Sequence, residues 1–133
     1  MAQKYIIGDL IKYKVGGLEF IAEITNTSKY GYCFKAVSDD ISGILCKEFA
    51  KDIPLTSEIL EKNGWYGATH SKQSDDATKI LYKTFKRKGY PTIKASQDLK
   101  ITCELSPFIV KLESVSDLQH LLFGLGINSE MEV

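Results

Sequence analysis

Ile53-Pro54-Leu55-Thr56-Ser57-Glu58-Ile59-Leu60-Glu61-Lys62-Asn63-Gly64 is a helix with both ends marked, standing between two runs of strands. Thr56 is an N-cap, whose side-chain oxygen accepts one of the backbone N–H groups that the first turn leaves unpaired. Leu55 before it and Leu60 after it have the N′ and N4 spacing of a hydrophobic staple. Glu58 suits the positive end of the helix dipole, and Asn63-Gly64 supplies the stop. A helix of about two turns does not persist alone, so Ile59 and Leu60 must pack on something else. Trp65-Tyr66 is expected to join that contact.

Upstream, short extended runs alternate with turn residues. Leu10 to Lys14 precedes Gly16-Gly17, and Leu18 to Thr25 alternates at Phe20, Ala22 and Ile24. Asn26 to Lys29 reads as a turn, Tyr30 to Val37 as a strand, Ser38-Asp39-Asp40 as a turn and Ile41 to Cys46 as a fourth strand. This density of strands predicts an N-terminal SH3-like small β-barrel or a bent antiparallel sheet over residues 1–53.

Downstream, His70 to Ala77 is polar and reads as a loop. Thr78 to Phe85 and Tyr90 to Ala95 form a hairpin around Lys86-Arg87-Lys88-Gly89, and Pro91 argues for an edge strand. Leu99, Ile101, Cys103 and Leu105 alternate with polar residues as a half-buried strand does. Ser106-Pro107 then turns the chain into a shorter strand, Phe108 to Leu112. A last helix is expected from about Ser116 to Leu125, with Ser116 and Gln119 at capping-box spacing, Val115, Leu118, Leu122 and Leu125 on its buried face and Gly126 as its stop. Asn128 to Val133 reads as a frayed tail. The order predicts an α+β protein in which residues 54–133 form a short connecting helix and an antiparallel sheet backed by the C-terminal helix. Residues 1–133 are expected to make a single compact domain, because about fifty residues bury too little apolar surface to be stable alone.

The 133 residues include 17 Lys plus Arg and 17 Asp plus Glu, a formal net charge of zero. That excludes polyanion binding of the histone type, which depends on a large positive excess, and leaves only a local basic patch for nucleic acid. The N-terminus lacks the apolar stretch of a signal peptide and no apolar run has the length of a bilayer span, so a cytoplasmic protein with no membrane partner is expected. Cys33, Cys46 and Cys103 are odd in number and widely spaced, and read as buried thiols rather than disulfide or zinc ligands.

Three segments together resemble a family of small uncharacterised proteins encoded by phages, prophages and other mobile elements of Bacteroides-type gut bacteria. They are Ile7-Gly8-Asp9-Leu10-Ile11, the stretch from Ile53 through Gly64-Trp65, and Val115-Ser116-Asp117-Leu118-Gln119-His120-Leu121-Leu122-Phe123-Gly124-Leu125. Their order and spacing match over nearly the whole chain. The entry differs, since the family usually carries a basic residue before the glycine and Ile6-Ile7 stands here. The resemblance implies an accessory protein of a mobile element and carries over no catalytic residue.

His70 and His120 are the only histidines. His70 reads as a solvated loop residue and His120 as lying opposite the apolar stripe of its helix, so neither is joined by a nucleophile or an orienting group in any motif. No metal, cofactor or phosphate loop is indicated. One segment stands out chemically. Lys79, Lys83, Lys86, Arg87, Lys88 and Lys94 are interleaved with Tyr82, Phe85 and Tyr90 without an acidic residue between them. Lysines on such a hairpin hold phosphates while its rings stack on bases, although lysines also guard solvated edge strands. The leading expectation is a non-enzymatic interaction protein with a host or phage protein as partner. The alternative is a nucleic-acid or nucleotide binder using the hairpin 79–94.

Overall fold

The computed structural model describes residues 5–38, 41–73, 78–96, 100–105 and 108–133, with the backbone alone described at 45, 68–73 and 78–82. The turn expected at Asp39-Asp40, the loop residues 74–77, Leu99 and the turn at Ser106-Pro107 lie outside the described residues. In chain order the elements are β1 (Leu10–Val15), β2 (Leu18–Ser28), β3 (Gly31–Ala36), β4 (Ser42–Leu45), a 3-10 turn (Lys47–Phe49), β5 (Ala50–Lys51), α1 (Ser57–Lys62), β6 (Tyr66–Gln73), β7 (Thr78–Lys86), β8 (Ile93–Ser96), β9 (Ile101–Leu105), β10 (Phe108–Lys111) and α2 (Val115–Gly124). The protein is α+β, with two antiparallel five-stranded sheets and two α-helices. It divides into two compact units, Met1–Pro54 with Ser114–Met131 and Leu55–Glu113 with Glu132–Val133.

In the first unit the strand order is β4-β3-β2-β1-β5, a meander whose first strand also pairs with β5 and whose ends do not close into a barrel. Gly16-Gly17 makes the two-residue turn between Val15 and Leu18, with Gly16 at φ 56°, in the left-handed region that such a turn requires. The turn expected at Asn26 is instead strand. A bulge between Ile24 and Asn26 lets β2 run on to Ser28 before Gly31 starts β3. The alternation read at Ala22 and Ile24 points into a core with Ile11, Tyr32, Phe34, Ala50 and Tyr5, and Tyr13 and Phe20 pack at its margin.

The second unit is a meander of order β10-β9-β8-β7-β6. Phe85, Ile93 and Cys103 are register partners across β7, β8 and β9, and all three are fully buried. Gly67 on β6 continues this row. A Cβ there would stand 2.9 Å from the Phe85 ring, so only glycine lets the aromatic side chain lie across the strand. The helix α1 lies on this same face, with Glu61 paired to Lys83 at 3.5 Å. Its caps follow the sequence. Thr56 Oγ1 accepts from Ile59 N–H, and the N–H groups of Gly64 and Trp65 return to the carbonyls of Glu61 and Leu60 with Gly64 at φ 92°. Trp65 is buried, but Tyr66 opens β6 and is 81% exposed, because successive strand residues take opposite faces.

Five further expectations are corrected. His70 is in β6 opposite Tyr82, not in a loop. The strands β7 and β8 are interior to their sheet, and Pro91 is accommodated because it lies in the connection before β8. The helix α2 groups with the first unit and not with the strands of residues 54–113, because polar groups on one of its faces bond the backbone at the start of β1. Its capping box is Ser114 with Asp117, both bonds present, whereas Ser116 and Gln119, each two residues further along, are buried. Gly126, at φ 71°, stops the helix as expected. The final residues are held rather than frayed. Asn63 Nδ2 donates to Glu132 O at 2.8 Å, and Glu132 N–H donates to Asn63 Oδ1 at 2.7 Å.

Candidate functional site

The basic hairpin does not fold into one surface. Lys83 and Phe85 face the core side of the second sheet. The Phe85 ring is fully buried, so it has no face to offer a base, and Lys83 lies over that ring and pairs with Glu61. Lys86 and Lys94 fall on the opposite, outward side, where Lys86 stands across from Tyr66 and Lys94 across from Thr84. Arg87, Lys88 and Tyr90 lie in the connection. There the Arg87 guanidinium stacks 3.9 Å from the centroid of Tyr90 and 5.1 Å from that of Trp65, while Trp65 and Tyr90 meet edge to face. Arg87 and Tyr90 therefore form part of a packed cluster, and Lys88 alone of the three is exposed. Lys79 and Tyr82 occupy β7 opposite Lys72 and His70, and their side chains lie outside the described ones.

A second polar constellation was not read from the sequence. Asp9, buried in the first unit, accepts from Ile6 N–H at 2.9 Å and meets His120 Nε2 through Oδ2. Beside it Gln119 Oε1 accepts from Leu10 N–H at 2.8 Å, and its Nε2 donates to Gly8 O at 2.9 Å and Ser129 O at 3.2 Å. Burial pushes the Asp9 carboxyl above the usual carboxylate range, against the downward pull of Ile6 N–H and His120. Tyr5 is likewise raised by burial and by its hydrogen bond to Asp52. The available signal was Gln119-His120 itself, two polar residues set into an apolar helix. Gln119 is almost wholly buried, and a buried amide needs partners. The arrangement can orient a histidine, and its evident work is to tie α2 to the start of β1.

A cleft of about 340 Å³ lies beside α1, lined by Leu55, Thr56, Ser57, Glu58, Ala95 and Ile101. Of the cysteines, Cys103 is buried as read, Cys33 is half-buried and Cys46 is exposed, since it stands at the surface turn leading into the 3-10 segment. Among the described residues no three His, Cys, Asp or Glu side chains gather in a metal-binding group. No described helix is long and apolar enough to cross a membrane. The chain matches no family model, no curated protein and no solved structure.

Proposed function

We propose that this is a non-enzymatic binding protein that takes an extended segment of a partner protein along the open edge of its second sheet. The carrying observation is β10. Among the described residues it pairs on one side only, with β9, and its Phe108 and Ile109 are 70% and 67% exposed. Neighbouring strand residues point to opposite faces, so these two flank the edge on both sides. A segment laid there gains main-chain hydrogen bonds from the unpaired row and apolar cover from both side chains. The resemblance to mobile-element proteins supports a phage or prophage accessory role in the cytoplasm, with a host or phage protein as the partner. The first unit is read as SH3-like. Its strand order and the 3-10 turn immediately before β5 support that reading.

Both β10 side chains are exposed, so Phe108→Asp and Ile109→Lys should leave the fold intact. Tagged protein exposed to a lysate of a Bacteroides-type host should yield a partner cross-linked at residues 108–111. Capture should be lost in both variants and kept in Phe123→Asp, an exposed aromatic of the first unit. Capture that is equal in the wild type and Phe108→Asp, or no reproducible partner at all, overturns the reading.

A further inference from the structure

The cleft beside α1 has two walls of different chemistry, and all of its lining residues belong to the second unit. Its floor is apolar. Leu55 and Ile101 are buried, and Ala95 is the register partner of Ile101 across β8 and β9. The other wall is the first turn of α1 with its cap, which brings Thr56, Ser57 and Glu58. Thr56 Oγ1 already accepts from Ile59 N–H. The hydroxyl of half-buried Ser57 and the carboxylate of exposed Glu58 have no hydrogen-bond or ion-pair partner among the described residues. Glu61, one turn on and on the same side of the helix, does have a cation, Lys83 at 3.5 Å. Lys83 stands opposite Ala95 in register, but its ammonium is held between Glu61 and the Phe85 ring. Glu58 is thus the one charged group among the lining residues, and its charge is uncompensated.

We propose that this cleft binds a small primary amine, with the hydrocarbon stem on Leu55, Ala95 and Ile101 and the ammonium on Glu58 and Ser57. A volume of about 340 Å³ lies at the low end of the range for ligand pockets, roughly 300–1,000 Å³, which suits a small molecule better than a run of residues. Removing the stem from water on the apolar floor supplies the affinity. The charge sets the class of ligand. An ammonium brings three N–H donors, which the Glu58 carboxylate and the Ser57 hydroxyl oxygen can accept. A ligand carboxylate meets Glu58 as a like charge, and an uncharged ligand gains the floor without the ion pair. Because Glu58 is exposed, the ion pair selects among ligands by a modest factor and the floor does most of the holding. The cleft is separate from the β10 edge, since Ile101 begins β9 whereas Leu105, the partner of Phe108, ends it.

The test is a titration followed by amide chemical shifts at pH 7 with hexylamine, hexanol and hexanoate, which share one stem and differ in charge. Hexylamine should shift the amides of residues 55–58, 95 and 101 and saturate in the millimolar range. Hexanol should bind about two- to fivefold more weakly and hexanoate more weakly still. Glu58→Gln should bring hexylamine down to the level of hexanol, and Glu58→Lys should reverse the order so that hexanoate binds best. Both variants change an exposed side chain, and unchanged urea midpoints confirm that folding is not the cause. Phe108→Asp should bind hexylamine as wild type does, which separates this result from the fate of the edge. No saturable shift at the lining residues overturns the proposal. So does hexanoate binding as tightly as hexylamine to the wild type, or an order of ligands that Glu58→Lys leaves unchanged.

Discussion

His120 Nε2 stands 2.5 Å from Oδ2 of Asp9, joining the surface of α2 to a carboxylate that has almost no contact with solvent. The pair is asymmetric, since the histidine side chain keeps 35% of its exposure and the aspartate 2%. Asp9 is thus the group that pays desolvation, and His120 and Ile6 N–H are what its Oδ2 receives in return. Gln119 completes the junction by bonding the main chain of Gly8 and Leu10 on either side of Asp9.

Gln119→Leu should therefore destabilise the protein although it adds apolar surface. Leu10 N–H and Gly8 O are left without their side-chain partner, at about 1–3 kcal/mol for each buried group. Urea unfolding should show a lower midpoint than for wild type, and a midpoint equal to or above wild type would show that water replaces the amide without loss.

Cys103 sets an alkaline limit. Burial, reinforced by Glu104, raises its thiol pKa above the ordinary value, so the folded chain keeps a proton that the unfolded chain releases from about pH 8.5. The sign follows directly. The stabilisation is fully present below the unfolded pKa and is lost as pH rises through the folded one. The stability of wild type relative to Cys103→Ala should shrink between about pH 8 and pH 10, and a difference constant over that range would refute it. At pH 8 the exposed Cys46 should react with a thiol reagent in the native protein while Cys103 does not.

Within the hairpin, Phe85 and Lys88 should separate cleanly. Phe85→Ala opens a cavity in the row with Ile93 and Cys103 and should cost about 3–5 kcal/mol. Lys88→Ala, in an exposed turn, should stay within about 0.5 kcal/mol of wild type. Similar midpoints for the two variants would mean that the Phe85 ring is not part of the core.

Asn63 holds the last residues as a backbone amide would, so its loss and theirs should not add. Removing residues 132–133 should cost about 0.5–1.5 kcal/mol in wild type and less in Asn63→Ala, as a thermal double-mutant cycle can measure. Additive losses would place the tail's contribution elsewhere, for instance in the hydrogen bond from Lys62 Nζ to Val133 O.

What the sequence determined by itself are the features whose physics is local. The capping and stop of α1 at Thr56, Asn63 and Gly64 rest on hydrogen bonds within a few residues, and the buried alternation at Ala22 and Ile24 rests on the two-residue period of a strand. The tertiary structure alone decided which distant segments meet. Composition in the basic hairpin could not say that Phe85 turns inward while Lys86 turns out, because that depends on register against β6 and β8. Nor could helical periodicity assign α2 to the start of β1. An apolar stripe packs on any apolar face, whereas the pairing of Gln119 with Leu10 and of His120 with Asp9 is specific and spans more than a hundred residues.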